Sequence, residues 1–375
     1  MASNSVLFIS APIGSGHIRA AQAVGHLLKI TKPDCRIELC NVFDFFHPVL
    51  GQTILKTYLK ALNLFPQAYG SVYSWGNESR LALAGREVIS QLLARRMVNY
   101  INSFQPSVVV CTHATPAGLI AWCKQKGLLT VPAAAVITDF VVHRLWVYPE
   151  LEHYFVAHDG MAEYLGKCGI AREAVTVTGI PVGQVFSRAG NREQILKQLK
   201  LDCGKRTILL MGGGAGLLPM EEILTACRQI DRPMQFIAVA GNNQQLYHKL
   251  ARLAAGAGHA VRVLGYTDTI HELMSAADLL ISKPGGMSTA EALALGVPLI
   301  IYRPIPGQEE ANTQFLLANR AAVRADSLSD IITILESLFL AAGDELTNLR
   351  LRAAGLGRPK AANAIADFLI TNYFY

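Results

Sequence analysis

The sequence predicts an α/β protein made of two Rossmann-like domains whose parallel sheets face a central cleft. Three observations lead to this prediction. The chain has 375 residues, which is long for a single hydrophobic core. Short apolar strands alternate with helix-like intervals along the sequence, and this alternation restarts after the Gly-Ile-Pro-Val-Gly segment at 179–183. Continuous apolar strands separated by helices are typical of parallel sheets that are covered on both faces.

The predicted strands are short and rich in apolar and β-branched residues, as expected of strands buried on both faces. In the first half they are Val6–Ser10, Ile37–Val42, Val108–Thr112, Ala133–Thr138, Tyr154–Ala157 and Val175–Thr178. In the second half they are Thr207–Met211, Gln235–Ala240, Val261–Leu264, Leu279–Ser282 and Leu299–Tyr302. We therefore predict one domain over 1–182, a second domain over 183–360, and a final helix over 361–375 that packs back on the first domain.

Composition excludes several classes of protein. The net charge of +6 is spread along the chain without a dense Lys/Arg block, which argues against nucleic-acid binding but suits an anionic lipid surface. The seven cysteines are scattered without a C-x-x-C pair, and this pattern predicts reduced thiols in the cytosol. The N-terminus lacks a basic signal-peptide region, and no apolar window approaches the length of a membrane span.

The first predicted strand runs into a Gly-rich turn, Gly14-Ser15-Gly16-His17. Phosphate-binding turns use lysine or bare backbone N–H groups, so a titratable imidazole at this tip indicates a base aimed into a cleft. The alternative is a histidine that caps its own helix or is satisfied by a neighbour. Metal ligation is not predicted, because no second histidine or acid follows at a fitting interval.

The segment 282–316 contains a strand, a Pro-Gly-Gly turn and the start of a helix near Met287. Such a turn leaves backbone N–H groups free at a helix N-terminus, where hydroxyl side chains can join them in binding a diphosphate. The residues predicted to bind this ligand are Lys283, Gly285, Gly286, Met287, Ser288 and Thr289.

Acidic and amide side chains follow the same turn. Glu291 lies about one helical turn further on, where a carboxylate can accept hydrogen bonds from two ribose hydroxyls. The next strand leads to Gln308 and Glu309 at another helix start, and this pair is predicted to hold the hydroxyls of a sugar. The alternative is that these are ordinary loops with Gly turns and charged first helical turns.

Further Gly-rich strand ends occur in the same half. Gly213 and Gly214 follow one predicted strand, and Asn242 follows the next, at positions where a backbone can approach phosphate. Gly265 and Tyr266 follow a third strand and are predicted to present backbone groups and an aromatic face to a base.

The second half resembles the donor domain of GT-B glycosyltransferases of family 28. This family includes monogalactosyldiacylglycerol synthases, bacterial processive diacylglycerol glucosyltransferases and the N-acetylglucosaminyltransferase that forms lipid II. The resemblance is strongest to the diacylglycerol branch and covers nearly the whole chain. In the first half it rests on the Gly-Ser-Gly-His turn and on the segments Thr138–Ile170 and Val177–Val182.

The resemblance implies an inverting enzyme that moves a hexose from UDP-glucose or UDP-galactose to 1,2-diacylglycerol and yields a β-glycosyldiacylglycerol. His17 is then the general base, the UDP-sugar is the donor substrate, and neither a further cofactor nor a metal is expected. We expect a monotopic protein on the cytoplasmic side of the membrane, bound to an anionic surface. The alternatives are a transferase with a polyprenyl-linked acceptor, a UDP-N-acetylglucosamine 2-epimerase, and a sugar-nucleotide binding module without turnover.

The acceptor half departs from the family at one position and is less sharply defined elsewhere. The turn of the plant-type galactolipid synthases has the form Asp-x-Gly-Gly-Gly-His, and Pro12 stands at the position of its aspartate. The turn of this chain is therefore more similar to that of the bacterial glucosyl branch. Asp139 is a candidate to orient the cleft or to cap a helix. His113 and His143 are expected in strand-end loops. The segment 49–73, with Lys56 and Lys60, is either a lipid-facing surface or a buried helix.

Overall fold

The computed structural model describes residues 4–11, 15–45, 94–214, 216, 218–256, 258–340 and 344–374. Gly14 and the segment 49–73, predicted to be either a lipid-facing surface or a buried helix, lie outside these residues. The chain divides into two compact units: Met1–Gln184 with Ile305–Gln308 and Lys360–Tyr375, and Val185–Pro304 with Glu309–Pro359. In its described part each unit contains one six-stranded sheet, and the paired strands are parallel.

The first sheet has the order β2-β1-β3-β4-β5-β6. Its strands are β1 Ser5–Ser10, β2 Arg36–Asn41, β3 Val108–Cys111, β4 Ala133–Val136, β5 His153–Val156 and β6 Val175–Val177. The helices that connect them include α1 Gly16–Thr31, α2 Ala114–Gln125 and α3 Asp159–Lys167, and residues 94–104 are also helical. The central strands are buried throughout, whereas β2 lies at the edge of the sheet and is largely exposed.

The second sheet has the order β12-β11-β10-β7-β8-β9. Its strands are β7 Arg206–Met211, β8 Met234–Val239, β9 Ala260–Leu264, β10 Leu279–Ser282, β11 Leu299–Tyr302 and β12 Ala322–Ala325. The helices of this part of the chain are α4 Arg192–Gln198, α5 Met220–Ala226, α6 Gln244–Ala254, α7 Ile270–Ala276, α8 Gly286–Ala294, α9 Gln308–Ala318, α10 Leu328–Leu340 and α11 Glu345–Leu356.

The last helix, α12 Ala361–Tyr373, contributes to the core of the first unit. Alternate residues of β1, Val6 and Phe8, share one buried cluster with α1 and with Ile365 and Leu369 of α12. This alternation follows from the period of two along a strand, which directs Val6 and Phe8 to the same face of the sheet. The terminal helix therefore covers the same face of the first sheet as α1.

Both sheets have a point at which the chain leaves two neighbouring strands in opposite directions. In the first sheet this point lies between β1 and β3, and in the second sheet it lies between β7 and β10. In open parallel sheets the loops diverge there and leave a crevice at the carboxyl ends of the strands, where ligands bind. Within the described residues, no helix combines the length and the apolar character needed to cross a bilayer.

Candidate functional site

His17 lies at the switch point of the first sheet. It is the second residue of α1, and its Nδ1 atom is 2.9 Å from the carbonyl oxygen of Thr112, which directly follows β3. Thr138, two residues beyond β4, places its Oγ1 atom 2.6 Å from the same nitrogen. The carboxyl ends of three neighbouring strands thus fix the position of one imidazole ring.

These contacts determine which nitrogen of His17 carries the hydrogen. A carbonyl oxygen can only accept, so the Nδ1–H of His17 donates to Thr112, and the hydroxyl oxygen of Thr138 accepts from the same N–H. In a neutral imidazole the lone pair then resides on Nε2, which has no hydrogen-bond partner in the described part of the chain. An Nε2 atom in this state can accept a proton from a substrate.

The surroundings of His17 favour its neutral form. Desolvation lowers the pKa of His17 below its ordinary value of 6.5, since charging the ring away from water is costly. The negative charge of Asp139 and the hydrogen bond to Thr112 raise the same pKa and offset part of the effect. The net shift is downward, so the lone pair on Nε2 is available at neutral pH.

A second imidazole lies beside the first. The ring of His113 is 4.6 Å from that of His17, measured between centroids, and the two planes are at 89°. His113 is the N-cap residue of α2, and its Nδ1 atom accepts a hydrogen bond of 3.1 Å from the backbone N–H of Thr115. Desolvation, aided by the proximity of His17, lowers the pKa of His113 to about 3. His113 therefore lies at a strand end, as the sequence predicts.

Two buried hydroxyl groups line the same strand ends. Because Ile9 pairs with Cys111, the next residues, Ser10 and Thr112, lie side by side and point to the same face of the sheet. Both are essentially inaccessible to solvent, and neither hydroxyl has a hydrogen-bond partner among the residues that the structure describes. The switch point is therefore polar although it lies in an apolar sheet.

In the second unit, the turn after β10 leads directly into α8. The N–H of Gly285 donates to the carbonyl oxygen of Lys283, and the N–H of Thr289 donates to that of Gly285. The N-cap residue is Gly285, so no side chain caps α8, and the N–H groups of its first turn have no intrahelical acceptor. Gly285 also leaves open space where a Cβ atom would stand. This helix N-terminus is suited to an anion.

The side chains of the first two turns of α8, and of the turn before it, differ in how far they are buried. Thr289 is fully buried, and its hydroxyl has no hydrogen-bond partner in the described chain. Glu291 is only 3% exposed. Lys283 and Ser288 are half-buried, whereas Gly286 and Met287 are buried. The predicted diphosphate and ribose contacts thus lie within residues 283–291, around the start of one helix.

The predicted glycine contacts after β7, β8 and β9 are also brought together. The N–H of Asn242 donates to the carbonyl oxygen of Gly214, and a Cβ at Gly241 would lie 2.6 Å from that oxygen. Gly213 has a φ of 69°, which glycine adopts without strain. Gly265 approaches the carbonyl of Gly241, and its neighbour Tyr266 is 55% exposed. Close backbone packing therefore explains Gly241, whereas a Cβ atom at Gly213 or Gly214 would meet no atom within 4 Å.

Asn312 was not predicted as a site residue, yet it supports the α8 turn. Its Nδ2 atom donates a buried hydrogen bond of 3.0 Å to the carbonyl oxygen of Pro284. Asn312 lies on α9, one turn beyond Glu309, and α9 begins at Gln308 as the sequence predicts. Both Gln308 and Glu309 are half-buried. No sequence signal pointed to this support, because the contact depends on how α9 packs against the turn.

The predicted residues thus fall into two groups. Gly16 and His17 lie in the first unit with Asp139, which is buried, and Gln308 is also assigned to that unit. The other described residues belong to the second unit and follow the carboxyl ends of its strands. Thr112 and Thr138 were not assigned contacts with His17 from the sequence, because those contacts depend on strand order. Across the described residues, no group of three or more His, Cys, Asp or Glu side chains is arranged to hold a metal ion.

Comparison with known proteins divides the chain in the same way. Residues 17–182 match the monogalactosyldiacylglycerol (MGDG) synthase family, and residues 191–339 match the glycosyl transferases group 1 family. The predicted family resemblance is confirmed. The first match begins at His17, and the second includes α8 and the start of α9.

Curated relatives match over nearly the whole chain. The processive diacylglycerol beta-glucosyltransferase of Bacillus subtilis (strain 168) is 28% identical over 367 residues, which cover 97% of this chain and 94% of the relative. The protein of the same name from Bacillus cereus (strain AH187) is also 28% identical, with coverages of 97% and 93%. Both relatives are named as diacylglycerol beta-glucosyltransferases.

Solved structures confirm the predicted GT-B fold. The chain aligns with Acinetobacter baumannii MurG at a TM-score of 0.66 and 16% identity, over 98% of this chain and 99% of the other. It aligns with the UDP-GlcNAc 2-epimerase of Neisseria meningitidis, bound to UDP-GlcNAc, at a TM-score of 0.61 and 15% identity, over 98% and 100%. At such identities the likeness concerns the fold and leaves substrate and reaction to the site residues.

Proposed function

We propose that this protein is an inverting hexosyltransferase that moves a hexose from UDP-glucose or UDP-galactose to the free hydroxyl of 1,2-diacylglycerol. The observation that carries the proposal is the fixed tautomer of His17, whose Nδ1–H is held by Thr112 and whose Nε2 lone pair is available. The names of the curated relatives support the diacylglycerol acceptor and the sugar-transfer chemistry.

In the proposed reaction the acceptor hydroxyl gives its proton to Nε2 of His17 as its oxygen attacks the anomeric carbon. The new carbon–oxygen bond forms on the side opposite the bond to the diphosphate, which breaks and leaves its electron pair on UDP. An α-linked donor therefore yields a β-glycoside. The charge of Asp139, which raises the pKa of His17, stabilises the imidazolium that results.

We assign the donor to the second unit. The N-terminus of α8 and the unpartnered hydroxyl of Thr289 would stabilise the negative charge that develops on the leaving diphosphate. Glu291 would hold the ribose hydroxyls, and Gln308 with Glu309 would hold the hexose. Gly213, Gly214, Asn242, Gly265 and Tyr266 are the other proposed contacts of the nucleotide-sugar in this unit. The assignment of Gly14 and Gly16 to nucleotide-sugar binding stays a prediction from the sequence. This arrangement requires no metal or further cofactor.

We also propose that the protein associates peripherally with the cytoplasmic face of an anionic membrane, because its acceptor is a bilayer lipid. Association of this kind depends on charge, since basic residues near an anionic surface each contribute about 1 kcal/mol. Sedimentation with vesicles that contain or lack anionic lipid, at low and high salt, tests the proposal. Equal sedimentation with both vesicle types would contradict it.

The proposed reaction is tested with purified protein, diacylglycerol vesicles and each UDP-hexose, followed by analysis of the lipids. We expect UDP release that requires both lipid and donor, and a glycosyldiacylglycerol as the product. Conversion of UDP-N-acetylglucosamine without lipid would indicate an epimerase instead. Transfer to a polyprenyl-linked acceptor but not to diacylglycerol would show that the proposed acceptor is wrong. Binding of the UDP-sugar without any turnover would indicate a binding module.

A further inference from the structure

The two imidazoles at the switch point of the first sheet are held in opposite tautomers. The Nδ1–H of His17 donates to the carbonyl oxygen of Thr112, which leaves a lone pair on Nε2. The Nδ1 atom of His113 instead accepts from the backbone N–H of Thr115, so the hydrogen of this neutral ring is on Nε2. One ring therefore presents an acceptor and its neighbour presents a donor.

The geometry of the pair suits a substrate with two oxygen atoms close together. The ring centroids are 4.6 Å apart and the planes are almost perpendicular, so the rings do not stack face to face. The Nε2 atom of each ring is without a hydrogen-bond partner among the described residues. His113 is half-buried, and its other nitrogen is occupied by the cap of α2.

We propose that the Nε2–H of His113 donates a hydrogen bond to the acceptor oxygen that neighbours the hydroxyl deprotonated by His17. The pair would then recognise two adjacent oxygens of a glycerol ester or of a sugar, one as proton donor and one as hydrogen-bond acceptor. This assignment rests on the proposed function and makes His113 a residue that determines acceptor specificity.

The donor role of His113 is stable over the working range of pH. Desolvation lowers its pKa to about 3, so the ring stays neutral and Nδ1 stays free to accept from Thr115. The tautomer is therefore fixed by the helix cap. The adjacent ring of His17 is also neutral at neutral pH, because desolvation lowers its pKa as well.

The test uses His113→Asn, which separates the two functions of this side chain. Asparagine is among the best N-cap residues, so its side-chain oxygen can replace the contact with Thr115. It is too short to present an N–H where the distal nitrogen of histidine lies. His113→Ser is a second variant of the same design. Thermal unfolding and UDP binding should match the wild type in both variants.

Each enzyme is assayed with 1,2-dioleoylglycerol and with the monooleoyl ester of 2-hexadecyl-1,3-propanediol, which keeps the reacting hydroxyl and two long chains but has no oxygen on the neighbouring carbon. We expect wild-type kcat/KM to favour the diacylglycerol by about 10-fold, the effect of roughly one hydrogen bond. Both variants should lose about this factor on the diacylglycerol and show no preference between the two acceptors.

The outcomes separate this assignment from the proposed function. Variants that retain the wild-type preference, or that lose the same factor on both acceptors, would overturn the role of His113 while transfer itself stands. A wild-type enzyme that transfers no hexose to diacylglycerol would overturn the proposed function and this assignment with it.

Discussion

The side-chain amide of Asn312 donates a hydrogen bond of 3.0 Å to the carbonyl oxygen of Pro284, and this contact is buried. It ties α9, which begins at Gln308, to the turn that precedes α8. The turn leads into the free N–H groups of a helix N-terminus. Because Asn312 holds the carbonyl of Pro284, the shape of this turn depends on a residue of a different helix. We infer that Asn312 orders the proposed diphosphate site without contacting the diphosphate.

Replacing Asn312 by alanine should therefore weaken both stability and UDP binding. The carbonyl oxygen of Pro284 would lose its partner in a buried position, which costs about 1–3 kcal/mol of unfolding free energy. Denaturant unfolding and calorimetry with UDP measure the two effects. The control is Asn319→Ala, directly after the same helix, where an exposed amide donates to the carbonyl of Phe315. Unchanged UDP affinity in Asn312→Ala would contradict the inference.

His17→Ala should abolish most of the turnover and leave the donor site intact. Loss of a general base lowers the rate by about 10² to 10⁴, whereas UDP affinity should stay at the wild-type value because the donor contacts are assigned to other residues. The matched control is His26→Ala, at an exposed position on the same helix. If His17→Ala keeps the wild-type kcat on diacylglycerol, the base is another residue.

Asp139→Asn should move the acid limb of the pH–rate profile to lower pH. The base works only while Nε2 is unprotonated, so kcat/KM falls as pH drops through the pKa of His17. Desolvation lowers that pKa below 6.5, while Asp139 raises it. Without the Asp139 charge the limb should lie lower still than in the wild type. Asp159→Asn, at an exposed position, is the control. A limb that moves to higher pH would contradict this account.

Much of this organisation could be predicted from the sequence because the relevant signals are local. The eleven predicted strands correspond to strands of the structure, and the helix starts near Met287 and at Gln308 lie within one residue of those observed. β12 was missed, since Ala-Val-Arg-Ala at 322–325 is short and has no continuous apolar run. It is a strand because it pairs with β11 at the edge of the sheet.

The part of the candidate site that could not be predicted consists of contacts between residues that are far apart in the sequence. Thr112 and Thr138 reach His17 from 95 and 121 positions away, and Asn312 reaches Pro284 from 28 positions away. These contacts follow from strand order and helix packing, which spacing along one chain does not reveal. The tautomer of His17 depends on its contacts with Thr112 and Thr138 and is therefore a property of the fold. The tautomer of His113 follows from the local cap contact with Thr115.

Glu291→Gln should weaken the binding of UDP by about 1.5–3 kcal/mol if the carboxylate accepts hydrogen bonds from the ribose hydroxyls. The residue is 3% exposed, so glutamine preserves its volume while removing the charge. Calorimetry with UDP and with 2′,3′-dideoxy-UDP isolates the contact, because the analogue lacks both hydroxyls. The penalty of the variant should disappear with the analogue. An equal penalty for both ligands would assign Glu291 a structural role instead.

The last prediction concerns the terminal helix and the pH dependence of stability. His153 is 4% exposed, its Nε2 atom lies 2.8 Å from Oγ1 of Thr176, and its ring centroid is 4.0 Å from that of Phe368 on α12. Desolvation lowers its pKa from 6.5 to about 4. Between these two values the unfolded chain binds a proton that the folded chain does not, so the unfolding free energy decreases as pH falls. Each such residue contributes up to about 1.4 kcal/mol per pH unit within that window.

His153→Phe should therefore flatten the decline in unfolding free energy between pH 6.5 and about 4, whatever its effect on stability at neutral pH. Urea unfolding at a series of pH values measures this slope, and subtracting the variant from the wild type removes the contribution of carboxyl groups common to both. His26→Ala, at an exposed position on α1, should retain the wild-type slope. A slope in His153→Phe that equals the wild-type slope would show that this histidine is not held neutral against α12. In that case the contact with Phe368 would stabilise the terminal helix by packing alone.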